Sequence, residues 1–322
     1  MHSPIDETIS DPARIPGAFW LTPTSYWSPA HLPVSAWYTH TPFAAWLMDA
    51  LRPQRVVELG THLGCSCFAF AEAAKRLNHE CAISAVDTWR GDDHAGFYGE
   101  EVFDYVADVA RSDYPESVRL VRATFEAARA DFPDGSLDLL HIDGRHAYED
   151  VVADYEVWRS SVRDGGIILF HDIAERENDF GVWRLWEEIA ETGRSFAFEH
   201  GHGLGVLAVG EPHSPRLTAL FDADDATTRR IRADFARLGA DVERRAWLET
   251  LPAEVERLQQ DVARLRDDVA RLIGDIAERD RALADRAALI DQIHTSTSWR
   301  ITAPVRWVGR LRRPRSPSPV RG

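Results

Sequence analysis

The stretch Val56-Val57-Glu58-Leu59-Gly60-Thr61-His62-Leu63-Gly64-Cys65-Ser66 decides how the chain is read. An apolar run ends in an acid, a turn with two glycines follows, and a helical pattern runs from Cys67 to Leu77. Gly60 and Gly64 permit backbone angles and close approaches that a side chain would block. Ser66 is placed to cap the helix. A turn of this kind, at the carboxyl end of a parallel strand, is where open α/β sheets hold nucleotide-like ligands. It carries no G-x-x-x-x-G-K-[ST], which excludes a phosphate-cradling P-loop, and it lacks the full G-x-G-x-x-G of dinucleotide binders.

Outward from this turn, strand and helix patterns alternate. Strands are predicted at Arg55–Leu59, Ala82–Asp87, Val118–Arg122, Leu137–Asp143 and Gly166–His171. Helices are predicted at Phe43–Leu51, Cys67–Leu77, Glu101–Arg111, Phe125–Asp131, Val151–Val162 and Val182–Glu191. Two short strands, Phe196–Glu199 and Gly205–Val209, flank Gly201 and Gly203 and read as a hairpin. The alternation implies an α/β fold, a parallel sheet covered on both faces.

The whole chain has 322 residues, enough for one large domain plus appendages. Its net charge of −15 makes the bulk of it a poor nucleic-acid binder, so no nucleic-acid partner is expected. Cys65, Cys67 and Cys81 form no CxxC pair and no even set. That pattern points to a reducing cytoplasm and away from structural zinc. Met1 to Arg14 is polar and acidic, unlike a signal peptide, and reads as disordered. No apolar run approaches the roughly 20 residues of a spanning helix.

Residues 1–50 form an aromatic, Pro-rich cap containing Phe19, Trp20, Tyr26, Trp27, Trp37, Tyr38 and His40. The cap serves either as packing on the flank or as a lid and acceptor wall. Residues 213–247 are Arg/Asp/Ala-rich and read as a helical connector. From 248 to 294 a heptad runs, with Val255, Val262, Val269 and Ile276 at a and Leu258, Leu265 and Leu272 at d. Arg279 and Arg286 interrupt d before Leu283, Ile290 and Ile293 resume the seam. β-Branched a residues with Leu at d favour a parallel two-stranded coiled coil, hence a homodimer. At about 1.5 Å per residue the helix would reach about 65 Å. Residues 295–322 hold no acid but carry Arg300, Arg306, Arg310, Arg312, Arg313, Arg315 and Arg321 among Trp299, Ile301, Val305, Trp307, Val308 and Leu311. Such a tail suits an anionic membrane surface or a protein partner, although Pro304 breaks any continuous helix.

Candidate chemistry gathers at the strand ends. Asp87 ends the second strand, where an acid can accept from both ribose hydroxyls. Asp87-Thr88-Trp89-Arg90-Gly91-Asp92-Asp93-His94 opens a polar, Gly-rich loop suited to a ligand mouth. The fourth strand ends His141-Ile142-Asp143-Gly144-Arg145-His146 and the fifth ends Phe170-His171-Asp172. Neighbouring strands lie about 4.8 Å apart, so Asp143 and Asp172 can share one ion. With His171 they form an oxygen-rich set that suits Mg²⁺ or Mn²⁺. His146 is the first choice for a general base and His171 the second, and Asp143 completes the catalytic set.

Together V-E-L-G-T-H-x-G-x-S, A-V-D-T-W, H-I-D-G-R-H-A-Y-E-D-V and D-G-G-I-I-L-F-H-D resemble bacterial class I methyltransferases that use S-adenosylmethionine (SAM) in glycan and antibiotic-sugar pathways. The resemblance covers roughly Ser35 to Gly210 and places the domain at 51–212. It implies a Rossmann-like seven-stranded sheet and SAM as donor. It further implies cofactor contacts from Glu58, Gly60, Thr61, Gly64, Ser66, Asp87, Thr88, Trp89, Thr124, Phe125 and Asp143, with adenine near Thr124-Phe125. In the sugar O-methyltransferases of this group, the position of His171 is often a second acid, and Arg145 stands where an acid can serve as base. The heptads followed by Ser298-Trp299-Arg300-Ile301-Thr302-Ala303-Pro304 resemble tails of surface-glycan glycosyltransferases and methyltransferases. That likeness implies a sugar or glycan acceptor, a glycosyltransferase or membrane neighbour, and a cytoplasmic enzyme at the inner face. Rival readings are a non-catalytic scaffold with a SAM-fold module, a methyltransferase for a non-sugar small molecule, and a nucleotide-sugar or NAD-binding oxidoreductase.

Overall fold

A computed structural model describes residues 17–92, 96–177 and 179–311. The expectations for Met1 to Arg14, for Asp93 and His94, and for the arginines from Arg312 onward lie outside those residues. In chain order the elements are α1 (Thr41–Leu51), β1 (Arg55–Leu59), α2 (Cys65–Arg76), β2 (Ala82–Asp87), a two-residue ribbon β3 (Gly91–Asp92) and β4 (Gly96–Phe97), α3 (Glu100–Asp113) and β5 (Val118–Arg122). They continue with α4 (Phe125–Ala128), β6 (Leu137–Ile142), α5 (Tyr148–Trp158), β7 (Val162–His171), α6 (Val182–Ile189), β8 (Ser195–Phe198), β9 (Leu204–Val209) and α7 (Pro215–Phe221). Last come α8 (Asp225–Thr295), α9 (Thr297–Ile301) and α10 (Ala303–Leu311).

The main sheet has seven strands in the order β5-β2-β1-β6-β7-β9-β8. The first five run parallel, and β9 lies antiparallel to both β7 and β8. Alternate residues feed two cores, as the pleat requires. Val56, Ile83, Leu139 and Leu169 pack with α1, α2, α3 and α7. Val57, Val86, Leu140 and Phe170 pack with α5 and α6. Burial on both faces explains why the central strands read as nearly continuous apolar runs. Asp138 ties the amino ends of three strands. Its Oδ2 accepts from the Gln54 and Arg55 N–H groups at 2.7 and 2.8 Å, and its Oδ1 accepts from Arg163 Nε at 2.5 Å.

Several boundaries differ from the sequence reading. α2 starts at Cys65, with Gly64 in the left-handed region (φ 82°) as its N-cap. Ser66 lies buried inside the first turn and does not cap, so the glycine replaces the expected side-chain cap. β6 stops at Ile142, and β7 begins at Val162 rather than Gly166. α5 opens at Tyr148, placing Glu149 and Asp150 at its dipole-favoured first turn, and ends at Trp158. The 213–247 segment is helical, as expected, and part of it packs on the domain. It forms α7 and the opening of α8, whose Ile231, Phe235, Val242 and Ala246 are buried. Phe235 meets Phe43 and Phe198 edge-on, and Trp20 Nε1 donates to Asp234 at 2.9 Å.

The chain divides into two units, Met1–Glu249 and Thr250–Gly322. In the second, α8 is continuous through the heptads to Thr295, and α9 and α10 break before Ala303-Pro304. Pro252 lies inside α8 and has no N–H for the ladder. Apolar seam residues stand exposed, from Val255 at 47% through Leu265 at 60% to Ile293 at 45%. No helix of the described residues is long and apolar enough to cross a membrane.

Gly60 holds φ at 88°, and a Cβ there would overlap the Asp143 carbonyl oxygen. Gly60→Ala therefore combines backbone strain with a backbone clash between β1 and β6. We expect it to lower unfolding free energy by at least about 2 kcal/mol in urea titrations.

Candidate functional site

A cavity of about 720 Å³ opens across the carboxyl ends of the parallel strands. It is the place where a doubly wound sheet holds its ligand. The turn after β1 supplies Gly60, Thr61, His62 and Ser66, β2 supplies Asp87 and Thr88, and the start of α4 supplies Thr124 and Phe125. Asp143, His146, His171 and Asp172 line the other side. Three expected contacts do not line it: Glu58, Gly64 and Trp89. Trp89 is buried, packs on Phe103, and donates Nε1–H to the His62 carbonyl at 3.0 Å. It braces the turn from behind.

Glu58 is fully buried. Its Oε2 accepts from His141 Nδ1 at 2.9 Å, directly across the β1–β6 register. His141 Nε2 in turn accepts from Trp37 Nε1 at 3.2 Å. Indole nitrogen can only donate, which fixes the proton of a neutral His141 on Nδ1. Glu58 thus reaches the site through His141 and Trp37 rather than by touching a ligand. Trp37 itself lines the cavity beside Val34, Ser35 and Ala36, so the cap both packs and forms a wall. Neither His141 nor Trp37 stood out in the sequence. The signal was two polar residues, Glu58 and His141, opposite each other in otherwise mostly apolar strands.

Asp87 ends β2 as expected, and its carboxylate is already engaged. Oδ2 accepts from the Thr61 and His62 N–H groups, both at 2.9 Å, and Oδ1 accepts from the Trp89 N–H at 2.7 Å. Each carboxylate oxygen has two acceptor sites, so Oδ1 retains one for a ligand hydroxyl.

The most charged part of the site joins β6 and β7. His146 Nε2 lies 2.9 Å from Asp172 Oδ2 and 3.8 Å from Asp143 Oδ1. His171 Nδ1 lies 3.3 Å from Asp143 Oδ1 and 3.2 Å from Asp172 Oδ2. Burial alone would lower both imidazoles, but the two carboxylates override it. His146 is pushed up to about 9, and His171 is raised well above its ordinary value. Asp143 and Asp172 are held low by the same imidazoles against their burial. The His146 ring also stacks on Phe180, with centroids 4.4 Å apart and planes at 5°.

Asp143, His146 and Asp172 each offer a ligand atom within 4.8 Å of the others. Two oxygens and one imidazole suit a hard divalent ion, and the set fits Mg²⁺ or Mn²⁺. It differs from the expected trio in taking His146 from the loop. His171 braces both carboxylates, and its Nε2 is buried with no partner among the described residues. An ion would have to displace the protons that the imidazoles now hold. Arg145, where an acid was expected in related enzymes, pairs with Asp150 at 3.2 Å. Cys65 lines the cavity, but burial pushes its thiol up to about 12, which rules out a thiolate nucleophile near neutrality.

Residues 57–173 match the family model described as a methyltransferase domain. With the seven-strand order, that match assigns this part of the chain to the class I methyltransferase fold. The chain is 46% identical over 217 residues to the uncharacterized protein y4gI of Sinorhizobium fredii. The alignment takes in 67% of this chain and 22% of that relative, so the chain spans about a fifth of the relative's length. Among solved structures it is similar to the O-methyltransferase TomG of Streptomyces achromogenes, involved in tomaymycin synthesis and in complex with SAM. There the identity is 15%, the coverage is 56% of this chain and 83% of that one, and the TM-score is 0.42. An O-methyltransferase of Bacillus cereus in complex with S-adenosylhomocysteine (SAH) matches at 16% identity, 56% and 84% coverage, and a TM-score of 0.41. Likeness at that level is too low to carry roles from those proteins to this one.

The raised imidazole sets a stability profile. A group whose folded pKa exceeds its unfolded one contributes fully below the unfolded value and loses that contribution as pH rises through the folded value. For His146 the window runs from its ordinary value of 6.5 up to about 9. In EDTA-treated protein, unfolding free energy should fall by about 3 kcal/mol across it. Asp172→Asn should flatten the decline, as read by urea titration at several pH values.

Proposed function

We propose that the chain is a SAM-dependent O-methyltransferase that modifies a sugar hydroxyl during surface-glycan or glycosylated-metabolite assembly. One observation carries the reaction class: the cavity at the strand ends joins the Asp87-held turn to the Asp143/His146/His171/Asp172 cluster. Its volume suits a nucleoside donor together with a small acceptor. In this reading Asp87 Oδ1 would hold the donor's ribose, and the donor would supply an electrophilic methyl group on its sulfonium. His146, in its neutral form, takes the acceptor's hydroxyl proton. The acceptor oxygen then bonds to the methyl carbon as the carbon–sulfur bond breaks, leaving SAH as a neutral thioether. A divalent ion held by Asp143, His146 and Asp172 would lower the pKa of an acceptor hydroxyl; His171 would then hold the two carboxylates in place.

Support for a sugar comes from the acid-rich rim, which can bind neighbouring hydroxyls, and from the tail motif around Ser298–Pro304. A non-sugar small molecule is the second reading, favoured by the apolar wall of Val34, Ala36 and Leu63. A purely structural scaffold has no use for two carboxylates paired with two histidines on the lining of an open cavity. The cytoplasmic setting fits the three free, buried cysteines. The basic tail would hold the enzyme at an anionic inner membrane face or against a glycosyltransferase.

Calorimetry tests the donor. Wild-type protein should bind SAM, and Asp87→Ala should weaken it at least about a hundredfold, beyond the loss of a single hydrogen bond because the turn loosens too. Asp143→Ala should keep SAM affinity within about threefold and lose methyl transfer, an effect of two or more orders of magnitude. Wild-type protein without SAM affinity would overturn the proposal.

The exposed seam supports a parallel dimer. Val255, Leu258, Val262 and Leu265 recur at heptad spacing with nothing covering them. In a parallel pair, Asp261 at g would face Arg266 at e of the second copy. Leu265→Asp should convert a dimer to a monomer in sedimentation velocity while leaving SAM affinity unchanged. A wild-type monomer at micromolar concentration would count against the coiled coil.

A further inference from the structure

We propose that Asp154 is a specificity-determining residue that reads the adenine edge of the donor, accepting from the exocyclic amine and donating to the adjacent ring nitrogen. The inference rests on SAM being the donor. Asp154 lies on α5, one turn beyond Asp150, and lines the cavity. Of the other acids lining the cavity, Glu126 is exposed while Asp154 is partly buried, and the rest are engaged. Asp87 takes three backbone N–H groups, Asp143 and Asp172 hold imidazoles, and Asp150 pairs with Arg145. Asp154 makes no ion pair with a described residue.

Its surroundings suit a flat ring. A Cβ placed on Gly144 would run into the Phe125 ring and would lie 3.4 Å from Asp154 Oδ2. The glycine leaves room for the Phe125 ring, and the Asp154 carboxyl lies within ordinary contact of the same point. The result is an aromatic ring and a carboxyl group near each other at the end of β6, in the cavity that Thr124 also lines. With the ribose at Asp87 on β2, the base of the donor falls here. Phe125 supplies a face and no hydrogen bond, so the polar edge of the base needs another residue.

The protonation state agrees with this role. Burial, with Asp150 next, pushes Asp154 up to about 7. A neutral carboxyl presents one donor and one acceptor side by side. Adenine presents the complementary pair, an amine hydrogen next to a ring nitrogen. The ammonium of the methionine end would instead require an ionised acid.

The test uses the full chain and calorimetry with three probes. They are SAH, its analogue with hydrogen in place of the 6-amino group, and 5′-methylthioadenosine, which lacks the amino-acid end. Wild-type protein should prefer SAH over the deamino analogue by about tenfold, the scale of one net hydrogen bond. Asp154→Ala should bind the two alike, a non-additivity that reports direct contact. It should also weaken methylthioadenosine by about tenfold. Asp154→Asn offers the same donor and acceptor and should restore SAH binding, which separates contact from folding. An Asp154→Ala protein that keeps the wild-type preference overturns the assignment. So does unchanged methylthioadenosine affinity alongside weakened SAH, which would place Asp154 at the ammonium. Wild-type protein that binds none of the three removes the donor reading itself.

Discussion

The carboxylate of Asp87 is the constraint on which the cavity depends. Three backbone N–H groups converge on it, two from the turn after β1 and one from its own loop. Bonds from N–H to a carboxylate are charge-assisted and stronger than neutral ones. They hold the Thr61–His62 segment in a shape it would not adopt unaided, since His62 sits at a positive φ of 48°. Trp89 sits at φ 50° and returns a bond to the His62 carbonyl, closing the loop on itself. Strained backbone of this kind persists only where neighbours over-determine it. An acid that looks from the sequence like a ligand contact is thus first a structural anchor, with one acceptor site to spare.

A second constraint is electrostatic. Asp143 and Asp172 stand close enough to repel, and both are largely buried. Two imidazoles between them resolve the repulsion by carrying protons. Protons on the imidazoles, or a divalent ion, neutralise the carboxylates, and His146 can act as a base only from the neutral, metal-free form it gains as pH approaches about 9. Behind it, Trp37 lies 6.2 Å from His171 and 5.1 Å from His141, ring to ring. The cap segment is thereby fixed to the strands that carry the acids. Glu58 acts at one remove through the same indole.

The fold was legible because the parallel strands leave an unambiguous trace. The apolar run Ile167–Phe170 ends in His171 and Asp172 at one rim, and the glycines after β1 mark its turn. The site was legible in part. Asp87, Asp143, His146, His171 and Asp172 sit at strand ends or just after them, where their sequence position implies their place in space. Glu58 misled because strand position does not tell whether a last side chain points to the rim or across the sheet. Ser66 misled because the helix starts at Cys65, with Gly64 at the N-cap and no side-chain cap. The buried face of the α8 opening was hidden because Arg232, Asp234 and Arg237 dominate the composition around Ile231 and Phe235, two of the four residues that form it. Asp154 was hidden for a related reason. An acid in the middle of a charged helix reads as surface until the packing of Phe125 against Gly144 shows which way that face looks.

The charge balance bears on how such a site would work. In the proposed reaction a sulfonium loses its positive charge as an oxygen loses its negative one. Charge is cancelled along the path, so water, which stabilises the separated charges, opposes it. A cavity with Trp37, Ala36 and Leu63 on one wall removes that solvation from the reactants, and the paired cluster supplies fixed dipoles instead. The same cluster cannot be strongly charged overall, because a net negative rim would stabilise the sulfonium before transfer. Two carboxylates matched by two imidazolium groups, or by a divalent ion, meet that requirement. Position then carries much of the remaining burden, and this is why the chain spends buried polar contacts such as Glu58–His141–Trp37 on holding the walls rather than on touching the ligand.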